Sequence, residues 1–213
     1  MRVKSAGQID RSRPLKFSFD GVSYSGFAGD TLASALLAND VRLIGRSFKY
    51  HRPRGVLTAG SEEPNALVTL RRGQSQEPNI RATQQELYGG LEAQSQNRWP
   101  SLNYDLLSIN DLAAPFIPAG FYYKTFMWPK AFWERVYEPL IRRAAGLGAL
   151  DGAPDRARYE QAFAFCDLLV IGAGPAGLMA ALNAARSGLE VILADEDSRF
   201  GGRLNSETYD IGG

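Results

Sequence analysis

The stretch from Cys166 to Arg203, CDLLVIGAGPAGLMAALNAARSGLEVILADEDSRFGGR, constrains the fold more than any other part of the chain. The apolar run Leu168 to Ile171 has the length and flanks of a buried parallel strand. It leads directly into Gly172-Ala173-Gly174-Pro175-Ala176-Gly177. Each glycine answers a separate steric demand. Gly172 suits the tight strand-to-helix turn, Gly174 keeps a Cβ away from an approaching pyrophosphate, and Gly177 lets the helix pack close on the strand. Leu178, Ala181, Leu182 and Ala185 then recur at helical spacing, Ser187-Gly188 ends the helix, and Leu189 to Ala194 reads as a second strand. The order predicts a βαβ unit suited to a dinucleotide.

The first N–H groups of such a helix have no intrahelical partner and stand at its positive dipole end, so the glycine loop favours a diphosphate. Asp195 closes the second strand about 20 residues past the glycines, where a carboxylate accepts from ribose hydroxyls and disfavours a 2′-phosphate. Glu196 follows it, and Gly201-Gly202 stands between Arg199 and Arg203. The Arg199 to Arg203 segment resembles the pattern of two-dinucleotide-binding flavoproteins, which points to FAD. NAD satisfies the same residues. The chain stops at Asp210-Ile211-Gly212-Gly213, soon after the second strand. A doubly wound domain needs more strands, so a longer polypeptide is expected.

Upstream, Leu15 to Phe19 alternates like a strand, Asp20-Gly21 signals a type I′ hairpin, and Val22 to Tyr24 returns. Asp30 is the expected N-cap of a helix over Thr31 to Ala38. A long loop, Val41 to Gly60, precedes a strand over Asn65 to Leu70. This order is the layout of a plant-type ferredoxin-like domain, whose long loop carries the C-x4-C-x2-C ligands of a 2Fe-2S cluster. The only cysteine of the chain is Cys166, so neither a cluster nor a disulfide framework is expected. Cys166 itself reads as a small packed residue.

Arg42, Arg46, Lys49, Arg52 and Arg54 interleave in that loop with Phe48, Tyr50 and His51. Such a pattern suits an anion or a single nucleic-acid strand, but the expectation is a solvated loop whose aromatics pack beneath it and whose arginines meet a neighbouring domain or subunit, with a structural role for His51. The formal net charge of +1 gives no argument for nucleic acid. A reducing cytoplasm fits the single cysteine, and no apolar run reaches membrane-spanning length.

Residues 71–102 turn polar and are expected to be irregular, with one short strand or helix. The segment Tyr104 to Trp133, which contains APFIPAGFYYKTFMWPKAFW, reads as a packed extended connector between domains. Trp133, Val136, Tyr137, Leu140, Ile141 and Ala144 share one face of a helix that Pro139 should kink or split. The fold class is therefore α/β and α+β. A β-grasp ferredoxin-like domain (1–100) is followed by a connector with an amphipathic helix (101–164) and by the first βαβ unit of a Rossmann-type domain (165–213).

RLIGRSFKYHRPRG and GSEEPNALV without cysteines, WPKAFWERVYEPLIRRAAGLG, and DLLVIGAGPAGL together resemble the N-terminal part of the α subunits of heterotetrameric sarcosine oxidases. The resemblance runs from about Leu15 onward. It implies an oxidoreductase complex acting on CH-NH donors, with NAD in the α subunit, FMN shared with the β subunit, and FAD in the β subunit. Carried over, Gly172, Gly174 and Gly177, with the intervening Pro175 and Ala176, and Asp195 match the NAD motif. Glu196, Gly201, Gly202 and Arg203 are expected to support the same ligand. No catalytic residue or metal ligand is assigned within this chain. Related α subunits of opine or amino-acid dehydrogenases and of hydrogen cyanide synthase share part of this front end. A non-catalytic module whose nucleotide stabilises assembly is the reading from another class. On the first reading this chain alone does not oxidise an amine.

Overall fold

The computed structural model describes residues 8–73, 75–116, 120, 128–144, 146–152, 154 and 158–205. They fall into two compact units, Met1–Pro154 and Asp155–Gly213.

The first unit is built on a hairpin. Strand β1 (Asp10–Phe19) pairs antiparallel with β2 (Val22–Ala28). Asp20 at φ 49° and Gly21 at φ 81° supply the positive φ values that a type I′ turn requires. Helix α1 (Leu32–Ala38) follows and buries Leu32, Ala33, Ala35 and Leu36. Its cap differs from expectation. Thr31, extended at φ −85° and ψ 161°, is the N-cap and exchanges bonds with Ser34 in a capping box. Asp30 is buried one residue earlier, where its carboxylate accepts from the Phe27 N–H at 2.9 Å and the Ser34 hydroxyl at 2.7 Å.

After the short pair β3 (Gly45–Arg46) and β4 (Pro53–Arg54) come β5 (Leu67–Arg72), β6 (Ser75–Arg81) and β7 (Leu91–Ser95). The sheet order is β2-β1-β7-β5-β6, with β1 and β7 parallel and the other neighbours antiparallel. This is the β-grasp arrangement. The polar stretch 71–102, expected to be irregular with one element, thus supplies β6, β7 and the end of β5. The signal in β7 is short: Leu91, Ala93 and Ser95 turn inward while Glu92 and Gln94 face out. Its central position comes from the parallel register Phe17↔Leu91 through Phe19↔Ala93, a pairing between distant segments.

Phe17, Phe19, Leu32, Leu36, Ile44, Val68, Leu70 and Leu91 form one core. Each such side chain contributes about 1.5–3 kcal/mol by leaving water.

Much of the aromatic segment Ala114 to Trp133 lies outside the described residues. Beyond it, a π-helical turn (Trp133–Tyr137) passes into α2 (Glu138–Ala144). Pro139 sits in the first turn of α2, where π-helical gives way to α-helical hydrogen bonding without a break in the helical backbone. Trp133, Val136 and Leu140 are exposed within this chain.

The second unit holds β8 (Leu168–Ile171), α3 (Pro175–Arg186) and β9 (Val191–Ala194). The strands pair in parallel from Leu168↔Val191 to Ile171↔Ala194. Among the described residues no helix is long and apolar enough to cross a membrane.

Candidate functional site

Gly172 leaves β8 at φ 99°, a backbone state that a side chain strongly disfavours, and its N–H bonds the Ala194 carbonyl at 2.8 Å. Gly174 is the N-cap of α3, extended and without a side-chain cap, and Pro175 opens the helix. The first N–H groups of α3 are thus left for a ligand. A Cβ on Gly174 would meet nothing within 4 Å, so the space above the loop is open. On Gly177 a Cβ would overlap the Gly172 carbonyl oxygen. The third glycine is therefore what lets helix and turn touch.

Ala173, fully buried, is clamped from both sides. Its N–H donates to the Asp195 carboxylate, and its carbonyl accepts from Gly201 N–H at 2.8 Å. Asp195 also accepts from Asp197 N–H at 2.8 Å. The Ala173 N–H above all, with the Asp197 N–H, holds the Asp195 carboxyl below the usual aspartate value. Gly202, at φ 52°, lies so close to the loop that a Cβ there would stand 3.2 Å from Gly174 Cα. The fold therefore brings Gly172, Gly174, Asp195, Gly201 and Gly202 to one place. Pro175, Ala176, Glu196 and Arg203 are exposed around it. Motif spacing finds these residues but not the Asp195–Ala173–Gly201 clamp, which depends on where the carboxylate turns.

In the first unit the long loop is organised by polar side chains. Glu63, 1% exposed, accepts the N–H groups of Leu57 and Thr58 on one oxygen and of Asn65 and Ala66 on the other, at 2.7–3.2 Å. Arg46 donates to the carbonyls of Leu102 and His51. His51 is buried with its Nδ1 2.7 Å from Asp105 Oδ2, a partner 54 residues away that no local spacing signals. Arg42 pairs with Asp40 and Arg52 with Asp111, while Lys49 and Arg52 lie over the Tyr50 ring. These cations engage groups of their own chain.

Residues 12–98 match the family described as a 2Fe-2S iron-sulfur cluster binding domain, and residues 167–210 the FAD dependent oxidoreductase family. Over 212 residues the chain is 63% identical to the sarcosine oxidase α subunit of Rhizobium meliloti (strain 1021), a match covering 100% of this chain and 22% of the relative. The chain belongs to the sarcosine oxidase α-subunit family. The sarcosine oxidase α subunit of Corynebacterium sp. (strain P-1) is 37% identical over 199 residues, 93% of this chain and 16% of the relative. An opine oxidase subunit of Agrobacterium tumefaciens (strain Ach5) is 56% identical over 43 residues, 20% of this chain and 8% of the relative. The chain spans about a fifth of the length of the sarcosine oxidase relatives it matches.

The two cofactors implied by these families fit differently. An adenine dinucleotide suits the uncapped helix start and the open space above Gly174. A 2Fe-2S cluster needs four thiolate or equivalent ligands, and residues 12–98 contain no cysteine.

Proposed function

We propose that this chain is the front part of the α subunit of a multi-subunit flavoenzyme that oxidatively demethylates sarcosine, and that it binds NAD at Gly172, Gly174, Pro175, Ala176 and Gly177. The identity of 63% along all of the chain carries the proposal, because it reaches well beyond the nucleotide motif. Asp195 fixes the glycine loop through Ala173 and keeps acceptor capacity for ribose hydroxyls. Glu196, Gly201, Gly202 and Arg203 line the approach to the diphosphate. When bound, the dinucleotide supplies hydride-transfer chemistry; this chain holds and orients it.

FAD at the same residues is the second reading, favoured by the match of residues 167–210 to an FAD dependent oxidoreductase family. An opine or amino-acid dehydrogenase subunit, or a hydrogen cyanide synthase-like one, is supported over less of the sequence; the opine oxidase match covers 20% of the chain. A nucleotide-stabilised assembly module without catalysis is the reading from another class. The proposed division is a cluster-free ferredoxin-like domain (1–100), a connector (101–164) and the nucleotide unit (165–213). The proposed partners are the other subunits, the β subunit with its FAD and the shared FMN above all, in the cytoplasm.

Sarcosine-dependent peroxide production tests this reading. It is expected to be absent with the chain alone and to appear when the complete α subunit is combined with its partner subunits. Turnover by the chain alone would overturn the assignment of chemistry to the partners. The purified chain is also expected to carry no stoichiometric iron or acid-labile sulfide, since it has one cysteine. Iron and sulfide in cluster ratio would refute that expectation.

NAD is expected to bind more tightly than NADP because the Asp195 charge opposes a 2′-phosphate. Asp195→Ala should weaken NAD and narrow the gap between the two. Equal affinities in the parent protein would remove Asp195 from the ribose site.

A further inference from the structure

His51 is the only histidine of the chain, is 1% exposed, and sits at φ 53° in the left-handed region. That backbone state is disfavoured for a residue with a Cβ, so its surroundings must hold it there. Arg46 does so from one side: Nη1 donates to the His51 carbonyl at 2.9 Å, and Nε and Nη2 bind the Leu102 carbonyl at 3.0 and 2.6 Å. Asp105 does so from the other, with Oδ2 2.7 Å from His51 Nδ1. Asp105 is itself fixed, because Oδ1 accepts the N–H groups of Trp99 at 2.9 Å and Leu107 at 3.2 Å.

This arrangement sets the chemistry of the opposite ring nitrogen. A carboxylate only accepts, so the proton shared with Asp105 stands on Nδ1, and it is the neutral form of such a ring that offers a lone pair at Nε2. Among the described residues Nε2 has no hydrogen-bond partner, yet no buried side-chain nitrogen or oxygen is left unsatisfied. Nε2 therefore reaches solvent, and His51 is one of the residues that line an open depression of about 520 Å³. Tyr50, Pro53, Leu106, Ile109 and Leu112 form its walls. The last three are exposed and spaced by three along the 3-10 turn Leu106–Asp111 and its cap, a spacing that stacks side chains on one edge.

The charges around the cavity are already matched. Arg52 Nε bonds Asp111 at 2.8 Å, and Arg46 lies 4.0 Å from Asp105 besides its carbonyls. A charged ligand would have to disrupt these pairs. One buried acceptor beside an apolar edge suits a neutral donor on an apolar body.

We propose that this cavity binds a small neutral aromatic donor, phenolic or indolic, whose O–H or N–H bonds His51 Nε2 while its ring lies on Leu106, Ile109 and Leu112. The aromatic ring supplies the apolar area and its polar edge the donor. The inference does not rest on the nucleotide site.

With histidine labelled by 15N, the two ring nitrogens of the single histidine report directly. Phenol is expected to move the Nε2 resonance saturably, and toluene, which lacks the donor, to bind about tenfold more weakly. Ile109→Trp fills the cavity from an exposed position and should abolish the phenol response. Asp105→Asn keeps an oxygen for Trp99 and Leu107 but presents an N–H to Nδ1, reversing the tautomer. Phenol affinity should then fall by about tenfold. The proposal is overturned if phenol leaves Nε2 unmoved, if acetate moves it in preference to phenol, or if Ile109→Trp responds like the parent.

Discussion

Gly177→Ala is expected to weaken dinucleotide binding about 100-fold and to lower the melting temperature of the nucleotide unit. The added Cβ would overlap the Gly172 carbonyl oxygen, a backbone atom that no rotamer change can move aside. Gly172 is itself tied by its N–H to Ala194, so relief requires α3 to withdraw from the turn. Overpacking of this kind costs about 1–3 kcal/mol, at times more. A loss of about 100-fold in affinity is the corresponding expectation. Gly172→Ala acts differently: nothing lies within 4 Å of its Cβ, so its cost is the backbone strain at φ 99° and not crowding. Titration calorimetry together with thermal melting checks both variants. A Gly177→Ala protein with parental affinity and melting temperature would mean that helix and turn do not touch as described.

Glu63→Ala should destabilise the ferredoxin-like unit by about 3–5 kcal/mol, because it strands buried N–H groups that one carboxylate now serves. Burial alone pushes the Glu63 carboxyl up. The N–H groups of Thr58, Asn65, Leu57 and Ala66 together outweigh that, and it lies below the ordinary glutamate value. A group lowered on folding contributes stability that is complete above its unfolded pKa and is lost as pH falls through the folded one. The unit should therefore lose stability below the ordinary glutamate range. Glu63→Gln, which cannot titrate, should flatten that acid slope in urea melts run across pH. An unchanged slope would show that Glu63 is not the group being protonated.

Local features were legible in the sequence. Asp20-Gly21 specifies its turn through two neighbouring positive φ values, and strand, glycines and helix of the nucleotide unit follow one another within about 20 residues. What escaped depends on contacts distant in sequence. The central place of β7 is fixed by Phe17↔Leu91, which alternation in a five-residue strand does not reveal. His51 looked solitary because Asp105 lies 54 residues away. The expected cap at Asp30 missed by one residue, since Asp and Thr are both good caps and only the extended backbone of Thr31 decides between them. At the candidate site the glycines were legible from spacing. The turn of the Asp195 carboxylate onto Ala173 was not, because the same acid at the same position is equally suited to a ribose.

The most direct test of the nucleotide site is equilibrium titration of NAD and FAD into the parent chain and into Gly174→Ala. That substitution meets no atom within 4 Å and keeps an ordinary extended backbone, so it should leave the melting temperature unchanged. Its methyl group would occupy only the space where a diphosphate approaches α3. The account predicts saturable binding of NAD at one site in the parent and binding about tenfold weaker in Gly174→Ala. Absence of saturable binding of either dinucleotide by the parent, or parental affinity in Gly174→Ala, would contradict it.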